Sequence, residues 1–337
     1  MAASERTSTD RKAARERAAE YLLRRHRFRP AEALPWLIAI AVYFIFPDRM
    51  TFGSQVVIMV MFALSLDLIL GYAGIVSLGH AAFFGIGAYS AGLFSKFVWG
   101  EPFSGLIVAA ATAGLFGFAS SFIIARFRHL TLIMITLGLG LLLAEAANSA
   151  SWLTGGSDGL QGVAIWPLFG MFKFDIYGTT SYAYSLAVLF VVFLMARRLI
   201  HSSFGLALRG IRENFVRMPA IGAPSREHIR KIYTIAAAMA GIAGAVIAQT
   251  TQTVSLEVLS FERSADVLVM LVLGGAGRLY GGLVGATIFL IARDQFSGIA
   301  PQFWYFWIGI LLVAVVMFLP NGILGGLSAL LSRWRTR

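Results

Sequence analysis

Apolar runs recur from Leu34 to Leu331, broken by short polar or glycine-rich intervals. A helix crossing a bilayer needs about 20 apolar residues, fewer where it is broken or re-entrant. On that basis, spans are predicted at 34–46, 51–70, 80–98, 104–125, 130–150, 182–199, 232–251, 264–277, 281–298 and 302–319. If 264–298 forms a re-entrant hairpin instead, eight spans remain, and both counts leave the two termini on one side. The expected class is an all-α polytopic membrane protein of about 8–10 transmembrane helices with broken or re-entrant segments. Residues 31–331 would be its transmembrane domain, between a segment 1–30 and a tail 332–337.

Two intervals are long. Residues 151–181 mix glycine with aromatics and would cap one mouth of the bundle. Residues 200–231 begin with GLALRGIRENFVRM, where Leu206, Leu208, Ile211, Phe215 and Met218 recur near helical spacing until Pro219 stops them. This predicts a short amphipathic helix outside the membrane.

Charge orients the pattern. Of 337 residues, 58% are hydrophobic and 13% charged, and the mean hydropathy is +0.76. Lys plus Arg exceed Asp plus Glu, 28 against 17. Most of the basic residues fall in 1–30, at Arg126 and Arg128, in 197–231 and at 333–337. That clustering is the positive-inside bias of cytoplasmic loops, so the excess reads as topology and anionic-lipid contact, not nucleic-acid binding. Asp48, Glu101, Asp158, Asp175, Glu257 and Glu262 mark the outer side. Both termini are expected in the cytoplasm. Deleting residues 2–28 is expected to leave activity and membrane levels near normal, as measured by a functional assay and immunoblot.

Chemistry is sparse. The four lysines fit no phosphate-binding loop, no cysteine is present, and the five histidines are scattered without a metal pattern. No catalytic residue, metal site or cofactor is expected on this chain. Intramembrane polar groups are functional candidates by default. Asp67, Glu145 and Asp266 fall near span ends and read as interfacial carboxylates, and Arg293 with Asp294 as an interfacial pair. The stretch GYAGIVSLGHAAFFGIGAYSAG at 71–92 differs, with six glycines and one histidine in apolar surroundings. Small residues allow close helix approach or a broken helix lining a watery path. Gly74, Ser77, His80 and Thr136 are the candidates for a substrate pathway, with packing or capping as the alternative. Leu in place of Gly74 or Gly79 is expected to abolish transport, with Ala partly tolerated.

The same stretch resembles the signature of LivM-type permeases, membrane subunits of ATP-binding-cassette importers for branched-chain amino acids and related amides. LTLIMITLGLG with WLTGGSDGL (130–160), SSFGLALRGIRENFVRMPAIGAPSREHIRKIYTIAAAMAGIAGA (202–245) and LVLGGAGRLYGGLVGA (271–286) fit in the same order, as does FLPNGILGGL. The resemblance spans roughly 45–328 and implies an importer permease in a bacterial inner membrane. Its partners would be a second, LivH-type permease, two ATP-binding subunits carrying ATP and Mg, and a periplasmic solute-binding protein. It implies that 200–231 couples to the ATPase, through Arg212, Glu213, Asn214, Phe215, Ala220 and Gly222. The apolar face of Leu208, Ile211 and Phe215 would then fill a groove on that subunit. Relatives commonly carry a Glu and an Arg where this chain has Leu141 and Ala144. That leaves a hydrophobic amino acid, urea, a short amide or an aromatic acid open as substrate. A secondary transporter without an ATPase is the rival of another class, and it leaves the cytoplasmic helix without a role.

Overall fold

A computed structural model of the chain describes residues 30–168, 170–174, 178–299, 301–319 and 321–326. Nearly all of the basic segment 1–30 and the whole tail 332–337 lie outside the described residues. Among the described residues, eleven α-helices of eleven or more residues follow in order. They are α1 (Leu34–Ile45), α2 (Met50–Asp67), α3 (Ala81–Phe97), α4 (Pro102–Ile124), α5 (His129–Ser149) and α6 (Thr179–Ile200). Then come α7 (Ser203–Glu213), α8 (Ser225–Thr251), α9 (Phe261–Gly274), α10 (Gly281–Ile299) and α11 (Trp304–Phe318). Among the described residues there is no strand, only two isolated bridges. The fold is all-α and polytopic, as expected. Each of the ten apolar segments coincides with a helix, and α7 is the amphipathic addition.

Among the described residues, five stretches are both long and apolar enough to cross a membrane: Pro47–Tyr72, α4, α5, α6 and α8. The others fall short for identifiable reasons. α1 and α11 are apolar but have 12 and 15 residues. α3 and α9, with 17 and 14 residues, start at chain breaks inside the bundle. α10 carries Arg293, Asp294 and Gln295 in its second half.

α8 is the central post, packing on α2, α3 and α4. Its alanines and glycines, Ala236, Ala237, Ala240, Gly241 and Gly244 among them, are buried. Small residues here replace the hydrophobic drive that helix association lacks in lipid. At the α3 crossing, Gly87 meets Gly241 so closely that a Cβ on Gly87 would overlap the Gly241 backbone.

Cross-links between connections confirm two distinct ends. At the basic end, Arg197 pairs with Glu32 at 3.0 Å, and Asp67 Oδ1 accepts from the Gly277 N–H at 2.7 Å. At the far end, Leu160 and Val254 exchange backbone hydrogen bonds of 2.7 and 3.0 Å, and the Trp166 N–H donates to the Gly100 carbonyl at 2.8 Å. Arg49 and Asp294 also approach there, at 3.8 Å. Arg293 pairs instead with Asp266, at 3.8 Å, so Arg293 and Asp294 serve two separate contacts and do not form the pair expected from their adjacency. Asp67 is likewise no interfacial carboxylate: it is 1% exposed and held by a residue 210 positions away.

Candidate functional site

The glycine-rich stretch folds as a helix break. α2 widens into a π-turn at Leu68–Tyr72, a form frequent at functional positions. Gly74 then takes a left-handed conformation (φ +72°), and the chain runs non-helically to His80, where α3 begins. Ser77, His80 and Thr136 are all buried. His80 Nε2 lies 2.9 Å from Ser65 Oγ, which itself donates to the Phe62 carbonyl at 2.7 Å. His80 therefore donates from Nε2, while its ring stacks on Phe62 at 5.4 Å. The Tyr233 hydroxyl lies beside Ser77 without completing a well-formed hydrogen bond to Ser77 Oγ.

Thr136 clamps the break to α5. Its Oγ1 accepts from the Leu78 N–H at 3.2 Å and donates to the Ile133 carbonyl at 3.0 Å. One residue on, Gly79 lies against the α5 backbone, where a Cβ would overlap the Thr136 carbonyl. Gly74 differs from the other three pathway candidates in being exposed. It lines a cleft of about 320 Å³ with Val76, Arg128, Leu132, Arg212 and Glu213.

A second break faces it. Residues 252–260 descend beside α3: Val254 packs at Gly92 and Leu259 at Gly85. Gly85 is 12 residues below the end of α3, about 18 Å at helical rise. There Ser260 caps α9, accepting from the Arg263 N–H at 3.2 Å. The Ala81 N–H donates to Ser264 Oγ at 2.9 Å, so the two helix starts meet inside the protein. α9 thus carries charge to depth. Arg263 pairs with Glu257 at 2.5 Å beside the exposed Glu262, and this segment packs on α5. These residues read as an outer loop in the sequence, and only the descent of 252–260 reveals them.

α5 is the least covered span. Only 17% of its apolar stretch is buried by the rest of the chain, against 78% for Pro47–Tyr72 and 72% for α8. Its open surface carries Gly138, Leu141, Leu142, Glu145 and Asn148.

α7 forms as the periodicity predicts, with Ser202 Oγ accepting from the Gly205 N–H at 3.4 Å as its cap. Its apolar face, however, is covered by this chain except at Leu206, which stays 47% exposed. Leu208 and Ile211 are buried, and Phe204 stacks on His228 at 5.3 Å. Phe215 is half-buried with the Arg128 guanidinium 3.1 Å from its ring centre. The surface left open is the next turn, where Val216 and Ile221 are 77% and 75% exposed. Glu213 and Ala220 are exposed beside it. Asn214 shapes this turn, its Oδ1 accepting from the Arg217 N–H at 3.0 Å. Arg212 points the other way and donates to the Gly71 carbonyl. Gly222 ends the turn at φ +88° with open space around it. Gly222→Ala is expected to cost only about 1 kcal/mol of left-handed strain. It should leave uptake within about twofold, which a transport assay would check.

Among the described residues, no group of His, Cys, Asp and Glu is placed to hold a metal.

Residues 32–316 match the family described as the branched-chain amino acid transport system permease component. The chain is 28% identical over 298 residues to the high-affinity branched-chain amino acid transport system permease protein LivM of Escherichia coli (strain K12), covering 81% of this chain and 69% of that protein. It is 27% identical to LivM of Salmonella typhimurium, covering 86% and 73%. It is also 24% identical to that organism's LivH, covering 82% and 94%. No solved structure matches.

Proposed function

Because the chain belongs to the branched-chain amino acid transport system permease family, we propose that it forms one half of an importer's translocation pathway, paired with a LivH-type permease. Two ATP-binding subunits would drive it, and a periplasmic binding protein would deliver the solute. The membrane is then the bacterial inner membrane, with the basic end cytoplasmic.

The observation that carries this reading is the bare face of α5. A span this little covered by its own chain, with Glu145 and Asn148 open towards its far end, offers a face to a second protein. A second permease packed there would enclose a path between the two subunits. α5 would supply one wall, and the charged start of α9 would add Glu257, Glu262 and Arg263. The wall is mixed: leucines at 141 and 142 alternate in depth with charge. That mixture favours a hydrophobic amino acid, whose charged ends meet Glu262 and Arg263 while its side chain meets α5. In this account α9 supplies the charges that relatives carry at positions 141 and 144. Urea, a short amide or an aromatic acid is the alternative cargo.

Coupling would run through the exposed turn after α7, docked as a helix end in an ATPase groove. Glu213 stands at its edge. Glu213→Arg is expected to leave assembly intact and to lower binding-protein-stimulated ATP hydrolysis several-fold in proteoliposomes. The direct test of the function is purification of the tagged chain from its native membrane. A second permease and ATPase should accompany it, with hydrolysis rising on addition of the operon's binding protein loaded with leucine. Uptake that persists without any ATPase would instead establish a secondary transporter.

A further inference from the structure

Four groups meet where α2 ends. Arg212, on the last turn of α7, lays its aliphatic stem over Gly74 and donates to the Gly71 carbonyl inside the π-turn. Arg209, one turn earlier on α7, holds its guanidinium 5.2 Å from the ring centre of Tyr72. Two cations on one helix face therefore grip consecutive residues of the turn that opens the break. At the same turn, Asp67 Oδ1 accepts from the Gly277 N–H at 2.7 Å, tying in the 275–280 connection between α9 and α10. The backbones of residues 71 and 277 touch, since a Cβ on Gly71 would overlap the Gly277 nitrogen. The Asp67 carboxylate also lies in the field of the Arg212 guanidinium.

We propose that Arg212 and Asp67 are positioning residues of a two-point latch, through which displacement of α7 is delivered to the 73–80 break and to the 275–280 connection. Arg212 moves the 73–80 break, whose far end is pinned to α5 by Leu78 and Thr136. Asp67 moves the 275–280 connection and with it α9. Arg212, though itself exposed, is on this account a strut within the chain and not the ATPase contact that its place in the coupling segment implies. A strut is needed because the α7 contacts made by Leu208 and Ile211 are non-directional, whereas a charge-assisted hydrogen bond to one carbonyl fixes direction. The π-turn suits the role, since a widened turn can tighten or relax without breaking the rest of α2.

The proposal rests on the coupling role assigned to α7 above, and the test separates the two. The chain has no cysteine, so Ser203→Cys with Ser149→Cys gives a unique pair of spin-label sites, both exposed, at the start of α7 away from the docking turn and at the far end of α5. The distance between them is measured in the purified complex, nucleotide-free and after trapping with ATP and vanadate. On the otherwise native chain the distance distribution should shift. With Arg212→Ala the shift should vanish while ATPase still co-purifies and hydrolyses ATP, and Arg212→Lys should restore part of it. Asp67→Asn keeps an acceptor for the Gly277 N–H and should keep the shift, and its loss there would overturn the role given to that hydrogen bond. A full shift in Arg212→Ala overturns the latch and leaves the coupling role standing. No bound ATPase on the native chain overturns the coupling role, and the latch with it.

Discussion

Gly79→Ala is expected to lower uptake at least tenfold while the protein still reaches the membrane. The added Cβ would sit on the Thr136 carbonyl, and a backbone oxygen in the middle of α5 cannot turn aside as a side chain can. Either α5 moves out or the 73–80 break is pushed from its seat, and the Leu78–Thr136 hydrogen bond is lost with both. Overpacking of this kind costs about 1–3 kcal/mol, enough to bias a transporter whose states differ by a few kcal/mol. The structure is stricter here than the expectation that Ala would be partly tolerated. Gly138→Ala, on the same helix, meets open space and should be silent. Side-by-side uptake and membrane-level measurements decide the matter, and equal activity of the two variants would remove the close-approach argument. At Gly74 the constraint differs: φ of +72° strains any side chain, and the nearest atom is the movable Arg212 stem, so Ala and Leu there should differ less.

Val216→Asp combined with Ile221→Asp is expected to reduce the ATPase recovered with the tagged chain at least tenfold. Both side chains project from the turn after α7, with nothing of this chain over them. A few central apolar residues commonly dominate an interface, and a carboxylate placed there is left buried and unpaired. Because the two positions are exposed, the isolated chain should keep its thermal stability. Leu208→Ala should do the reverse: it empties a buried site at about 2–5 kcal/mol, lowering stability without touching the docking turn. Phe215→Ala belongs with Leu208, since its ring is spoken for by Arg128. Undiminished ATPase recovery in the double aspartate variant would show that the docking surface lies elsewhere.

The helices were legible because hydrocarbon demands long apolar runs, and α7 because its period is helical. The break at 73–80 was legible from glycine density. What covers an apolar face was not. Leu208, Ile211 and Phe215 announce a buried stripe, but no local pattern says whether the cover is the same chain or another. Asp67 was misplaced for a related reason: a carboxylate near a span end looks interfacial unless its partner, here 210 residues on, is known. The descent of 252–260 was hidden because a polar connection entering the bundle reads like one lying on its surface. The resemblance marks Arg212 as a coupling residue, and its contact with the break had one signal, its spacing of three from Arg209 on the face that also carries Leu208 and Ile211.

The backbone-to-backbone crossings have a mechanical consequence. Helices meshed by large side chains move past each other in jumps, up to a full turn of about 5.4 Å, because knobs must leave one set of holes before entering the next. Where Gly87 rests on Gly241 and Gly244 on the Phe84 carbonyl, there are no teeth to disengage. Those contacts permit gliding by fractions of an ångström with a nearly flat energy profile. The motion at these crossings should be a graded shear, so its extent is set by how far α7 is pulled and not by a choice between two notches.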